Sequence, residues 1–198
     1  MTSRRFPVRT LAFIAAASPM GWLVWAVATG GLGANPPEAI IDHTGEWALW
    51  ALGLTLLVTP VRRMTRWRWP GRIRRMLGLF AFFYTAVHFA AYALFDFGLR
   101  PGPIIEDLVS RPFITVGVVA FVGLIPLAAT STDAAMRRLG RWWPRLHLLI
   151  YPIAVLSVAH HYMLVKADVR EPVIYAVVLA LLLGYRLLPR GWQAWPRR

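Results

Sequence analysis

The sequence predicts an all-α membrane protein, a bundle of six transmembrane helices with both termini on the cytoplasmic side. Three observations carry this. Hydrophobic residues make up 58% of the 198-residue chain, the mean hydropathy is +0.52, and only 16% of residues are charged, well below the charge of a soluble domain. The apolar residues fall into six blocks of about twenty, the length that crosses a bilayer core at ~1.5 Å rise per residue. The arginines are sorted into alternate loops.

The blocks lie at roughly 10–29, 46–61, 75–95, 112–130, 146–165 and 172–188. The first runs past the usual apolar region of a signal peptide and ends in Gly-Gly-Leu-Gly without an Ala-x-Ala site, so it reads as a retained span. Pro60 and Pro70 bracket a break after the second. Pro101 and Pro103 mark a turn after the third, and Pro112 and Pro172 stand where the fourth and sixth can begin. Trp22, Trp67, Trp69, Trp142, Trp143, Trp192 and Trp195 recur near block ends, as interfacial anchors do. No internal repeat is visible, and residues 1–198 read as one domain. The absence of cysteine excludes disulfides, thiolate metal sites and iron–sulfur clusters.

A net charge of +13 would suggest nucleic acid, but its distribution points to topology and lipid headgroups instead. Arg4, Arg5 and Arg9 precede span one. Arg62, Arg63, Arg66, Arg68, Arg72, Arg74 and Arg75 lie between spans two and three. Arg137, Arg138, Arg141 and Arg145 lie between four and five, and Arg186, Arg190, Arg197 and Arg198 close the chain. Eight of the nine acids fall in the other loops or at their edges, Asp133 excepted. This is the positive-inside pattern, with loops 30–45, 96–111 and 166–171 on the far side. Asp96, Glu106, Asp107, Asp168 and Glu171 give that far side an acidic rim that would steer a docking partner.

Four of the five histidines fall inside the blocks. His88 lies in "GLFAFFYTAVHFAAYALF", and His147, His160 and His161 lie in "LHLLIYPIAVLSVAHHY". An imidazole in hydrocarbon is costly unless something takes up its hydrogen bonds or its lone pair. Spans three and five run in the same direction. His88 is about thirteen residues into its span and His160 about fourteen into its own, so two imidazoles at equal depth can ligate one metal from opposite sides. With no cysteine and no acid at that depth, haem iron is the natural candidate. Ala86, Ala90, Ala91, Ala93, Ala154 and Ala159 leave room for a porphyrin, although alanine is also ordinary packing in a span.

The spacing within span five leaves the ligand open. At about 100° per residue, His160 falls about 140° round from His147 and His161 only about 40° away, so simple geometry favours His161. Pro152 lies between and can alter the phase. His147 stands ~20 Å from His160 along an ideal helix. Arg74 and Arg75, not a second histidine, hold the matching depth on span three. His147 is a candidate lone ligand to a second haem, a partner for a quinone or flavin, or a helix cap. Arg74 and Arg75 either hold anionic groups such as propionates or a phosphate, or anchor the inside loop.

Longer stretches carry a resemblance. They are "WLVWAVATGGLGANP" at 22–36, "TGEWAL" at 44–49, "LLVTPVRR" at 56–63, "RRMLGLFAFFYTAVHFAAYAL" at 74–94, "RPFITVG" at 111–117, "ATSTDAAMRRLG" at 129–140 and "WPRLHLLIYPIAVLSVAHHYMLVKAD" at 143–168. In this order they resemble the MsrQ (YedZ) family, within the ferric-reductase-like transmembrane group. The family's second span-five histidine comes thirteen residues after the first and six before a lysine. Here those are His160 and Lys166, with Tyr162 in register. The resemblance therefore implies His88 and His160 as the axial pair. Where the family often has a histidine two residues before the Thr-Gly pair, this chain has Asp42, with His43 next, so no function is carried onto His43.

The resemblance implies a non-catalytic electron-transfer subunit of the cell inner membrane. It would take electrons from the quinone pool or a cytoplasmic flavin reductase. Through haem b it would pass them to a periplasmic molybdenum-cofactor methionine sulfoxide reductase that repairs oxidised proteins. FMN is implied too, but no phosphate-cradling glycine loop can be assigned, since "GGLG" at 30–33 is too short. Two other readings stay open. One is a ferric reductase or cytochrome b component of another complex, whose flavin and nicotinamide domain would be expected on another polypeptide. The other is a small transporter or structural membrane protein with buried histidines.

Overall fold

The computed structural model describes residues 8–67, 69–165 and 169–188. The expectations placed on Arg4, Arg5, Arg68, Lys166, Asp168, Arg190, Trp192, Trp195, Arg197 and Arg198 lie outside the described residues. Among the described residues every regular element is helical: α1 Val8–Thr29, α2 Pro36–Thr65, α3 Pro70–Phe95, α4 Pro101–Ser110, α5 Pro112–Ala129, α6 Asp133–Leu139, α7 Trp142–Leu146, a 3₁₀ turn His147–Leu149, α8 Ile150–Leu164 and α9 Arg170–Leu187. Proline opens α2, α3, α4 and α5, where its missing N–H costs nothing and its φ suits the first turn. Thr132 caps α6, its hydroxyl accepting from the Ala135 N–H at 3.2 Å.

Among the described residues four stretches are long and apolar enough, by length and composition, to cross a membrane: α1, α3, α5 and the run Trp142–Leu164. The other two long helices carry more charge. Glu38, Asp42, Glu46, Arg62 and Arg63 lie along α2, and α9 holds Arg170, Glu171 and Arg186 in 18 residues.

Three boundaries differ from the sequence reading. The second helix is not confined to 46–61 but runs Pro36–Thr65 over 30 residues, so most of the expected loop 30–45 is helix. Pro60 does not end it. Proline has no N–H for the Leu56 carbonyl four residues back. Arg186 of α9 donates from Nη2 to that oxygen at 2.5 Å, so the helix continues. The expected loop 96–111 is largely the helix α4. The fifth block is not one α-helix, because the 3₁₀ turn His147–Leu149 interrupts it. Pro152 sits in the first turn of α8, where it leaves the helix unbroken.

The core interleaves leucine and isoleucine with alanine. Ala51, Leu52 and Leu56 of α2 meet Ala81 of α3, Ala120, Leu124 and Leu127 of α5, Ile150, Ile153 and Ala154 of α8, and Leu182 of α9. Large apolar residues such as Trp25, Val119, Val122 and Leu181 face outward, as expected where lipid is the solvent and small residues bring helices together. The tightest pairings are α2 with α3 and α5 with α8.

α1 is docked near a proline of its own. Pro19 lies inside the continuous helix and removes one backbone donor. The Tyr84 hydroxyl of α3 enters there, donating to the Ala16 carbonyl at 2.8 Å and accepting from the Met20 N–H at 3.2 Å. His43 of α2 donates from Nε2 to the Pro19 carbonyl at 3.1 Å, with its ring against Trp22 at 4.8 Å between centroids. His43 thus fastens α1 to α2.

Candidate functional site

His88 and His160 come together. His88 projects from α3 and His160 from α8, and their ring centroids lie 6.3 Å apart with planes at 78°. Each Nδ1 meets a backbone carbonyl of the paired helix: His88 donates to Ile41 of α2 at 2.9 Å, and His160 donates to Phe113 of α5 at 2.7 Å. A carbonyl only accepts, so Nδ1 carries the proton in both rings and Nε2 keeps its lone pair. A histidine metal ligand is held in just this state, with one nitrogen anchored and the other available.

His161 goes elsewhere. Its ring stands edge-on to Tyr175 of α9, 5.4 Å between centroids at 88°. Its Nε2 is buried without a hydrogen-bond partner. The face-mate arithmetic favoured His161 on the premise that the ligand shares the face of His147, but the ring that meets His88 is His160, while His147 stacks on Trp143.

Two metal-bound nitrogens on opposite sides of one ion, at roughly 2.0 Å each, put imidazole centres about 6 Å apart, which the observed separation matches. Among the described residues no group of three or more His, Cys, Asp or Glu side chains is placed to hold a metal ion. Two imidazoles alone underfill a zinc site, which takes four ligands. They fit an iron whose other four positions belong to a macrocycle. Ala91, Ala93 and Ala154 are buried, whereas Ala90 is exposed and Ala86 and Ala159 are half-buried.

A second group gathers at the other end of α3 and α8. The ring of His147 lies on Trp143 at 3.9 Å between centroids, and its Nδ1 donates to the Trp143 carbonyl at 3.0 Å. Its Nε2 is buried on the Leu127 side of α5 without a well-formed hydrogen bond. Arg74 is half-buried within electrostatic range of His147, Tyr151, Arg186 and Arg62. The Arg186 guanidinium stands over the Tyr151 ring at 5.5 Å. Arg75 is separated from this group and forms an ion pair with Asp133 of α6. The exposed Asp133 carboxyl is held below the usual carboxylate range by that hydrogen bond and charge.

The acidic rim is also divided. Glu106 is exposed, but Asp107 turns inward, 7% exposed. It accepts the Tyr92 hydroxyl at 2.7 Å and pairs with the Arg111 Nε at 2.9 Å. Asp107 therefore belongs to the seam between α3, α4 and α5 rather than to a steering surface.

Residues 44–158 match the family described as the ferric reductase like transmembrane component. The protein-methionine-sulfoxide reductase heme-binding subunit MsrQ of Herminiimonas arsenicoxydans is 45% identical over 96% of this chain and 87% of its own length. The subunit of the same name from Xanthomonas euvesicatoria pv. vesicatoria (strain 85-10) is 50% identical over 90% of this chain and 85% of its own. The one from Xanthomonas oryzae pv. oryzae (strain MAFF 311018) is 47% identical over 96% and 86%. The chain belongs to the MsrQ family. The family match includes Gly45, His88, Gly117 and His147 and stops two residues before His160, at Val158. The pairing of His160 with His88 therefore comes from geometry.

Sequence reasoning missed several parts of this arrangement in the MsrQ-family chain. Arg186 reads in sequence as one more inside-loop charge, yet it reaches the Leu56 carbonyl and stands beside Tyr151. Only half a signal was present: an arginine at the end of an apolar block needs an acceptor, and Pro60 leaves the Leu56 carbonyl without its helix donor, but nothing in the sequence joins the two. Ile41 and Phe113 contribute only their carbonyls, which no side-chain pattern reveals.

Proposed function

We propose that this chain is the haem b subunit of a methionine sulfoxide reductase system, with His88 and His160 as the two axial ligands of the iron. The carrying observation is the pair of imidazoles 6.3 Å apart, each with Nδ1 anchored and Nε2 left with a lone pair. The names of the relatives, heme-binding subunits of a protein-methionine-sulfoxide reductase, point the same way. Bound there, haem supplies a one-electron carrier. The chain's own residues hold it, exclude water with the packed helices α2, α3, α5 and α8, and fix both imidazoles in one tautomer.

The proposal extends to six membrane crossings, cytoplasmic termini and an inner-membrane location. The arginine asymmetry supports these, and α2 and α9 are long enough at 30 and 18 residues. In that orientation His88 and His160 lie toward the periplasmic face, where a molybdenum-containing reductase would collect electrons. The basic end, with Arg62, Arg74, Arg186 and His147, would face a quinone or a flavin reductase. An FMN phosphate would find its charge partners there, with Arg75 held apart by Asp133.

The test is a reduced-minus-oxidised spectrum of the purified protein with quantified haem. His88→Ala and His160→Ala should lose most haem, because each leaves the iron one axial ligand. His161→Ala should retain it. Normal haem in the His160 variant with loss in the His161 variant would overturn the ligand assignment. Absence of a Soret band from the parent would overturn the redox reading altogether.

A further inference from the structure

The two imidazoles are seated by one device used twice. His88 donates to the carbonyl of Ile41, and one helical turn further along α2 stands Gly45. A Cβ on Gly45 would lie 3.0 Å from both Nδ1 and Cε1 of His88. His160 donates to the carbonyl of Phe113, and one turn further along α5 stands Gly117. A Cβ there would lie 2.8 Å from Nδ1, 2.9 Å from Cε1 and 3.2 Å from Cγ of His160.

The spacing has a physical reason. In an α-helix the carbonyl of residue i points at the N–H of residue i+4. The Cα–Cβ bond of residue i+4 tilts back toward the N-terminus and so leans over that carbonyl. A ring that approaches that oxygen from the Cβ side, as these two imidazoles do, meets this cover unless the residue is glycine. The interface between α5 and α8 supplies a contrast, because a Cβ on Gly123 would meet only Ile153, at 3.0 and 3.1 Å.

We infer that Gly45 and Gly117 are positioning residues, each opening a helix carbonyl to the Nδ1–H of an iron-ligating histidine and so setting the tautomer, orientation and donor strength of its ring. The inference rests on the haem reading above. Hydrogen bonding at Nδ1 makes imidazole a stronger donor to the metal, which favours oxidised iron. Losing it weakens haem retention and moves the potential upward. The Gly117 contact is the tighter, so the effect is ordered: Gly117→Ala exceeds Gly45→Ala.

The experiment compares Gly45→Ala, Gly117→Ala and Gly123→Ala in the full-length protein purified with its haem. Haem retention, midpoint potential and the low-spin ferric electron paramagnetic resonance signal are read alongside thermal stability. Gly117→Ala should retain haem roughly ten- to a hundredfold less tightly, with a more positive potential and a shifted low-spin signal. Gly45→Ala should move the same readouts less. Gly123→Ala should lower stability while leaving potential and signal at parental values. Should Gly117→Ala fail to accumulate, Gly45→Ala carries the test, since its imidazole need yield only a few tenths of an ångström. Parental potential and signal in the Gly45 and Gly117 variants, or equal shifts in all three, would reduce these glycines to packing and overturn the inference. A parent protein without a two-histidine low-spin signal would instead overturn the haem reading beneath it.

Discussion

Asp107→Asn separates a docking role from a structural one. The carboxylate is 7% exposed and holds two partners, Tyr92 at 2.7 Å and Arg111 at 2.9 Å. A hydrogen bond to a charged group contributes about 1.5–3 kcal/mol, and the neutral bond that asparagine keeps with Tyr92 about 1 kcal/mol. The loss there is about 0.5–2 kcal/mol. Arg111 is more than half exposed, so its pair adds under about 1 kcal/mol after solvent screening. The seam should weaken by about 1–2 kcal/mol, raising the open population of α4 about five- to thirtyfold. Hydrogen exchange on residues 101–110 in nanodiscs reads this directly. Glu106→Gln removes an exposed acid of the same helix and should leave exchange unchanged. If Asp107→Asn exchanges like the parent and instead slows electron delivery to a periplasmic reductase, the seam argument is wrong and Asp107 returns to the docking surface.

Tyr84→Phe keeps the ring but deletes the hydroxyl that bridges Ala16 and Met20 beside Pro19. It should cost about 1–2 kcal/mol by thermal unfolding and free α1 first, visible as faster exchange around residues 16–20. The Arg75–Asp133 pair predicts a pH dependence confined to α6. Because the Asp133 carboxyl is held low, its contribution is complete above the unfolded value near ~3.9 and is lost as pH falls through the lowered one. Protection of α6 should therefore drop in strong acid, and Asp133→Asn should abolish the difference between neutral and acid samples. For topology, a C-terminal reporter should be active on the cytoplasmic side only, and periplasmic activity would reverse every assignment of entry and exit.

Much of this was legible because hydrophobic blocks and proline positions report on single helices. The start of α5 at Pro112 and the equal depth of His88 and His160 both follow from counting along one chain direction. The start of α2 was hidden because Glu38, Asp42 and Glu46 make its first turns look like a loop, although their spacing of four keeps them on one side of a helix. The 3₁₀ turn at His147–Leu149 has no marker residue, and the choice between His160 and His161 depended on which helix each ring faces. Asp107 looked like surface because Tyr92, the partner that draws it inward, sits on another helix, although Arg111 is only four residues along. The glycines under the imidazoles were invisible for the same reason, since one-dimensional spacing does not say which helix lies against which.

The bond from Arg186 to the Leu56 carbonyl has a consequence for biogenesis. Its two ends are 130 residues apart. At ~5–20 residues per second, synthesis of that interval occupies roughly 7–26 s. Throughout it, α2 has been made with a proline gap that its own backbone cannot close. The nascent helix must keep that oxygen in contact with water, the translocation machinery or an early neighbour until α9 emerges. A ribosome stalled before residue 186 should thus hold a chain whose second helix is still exchanging partners, and release of α9 is the event that seals it.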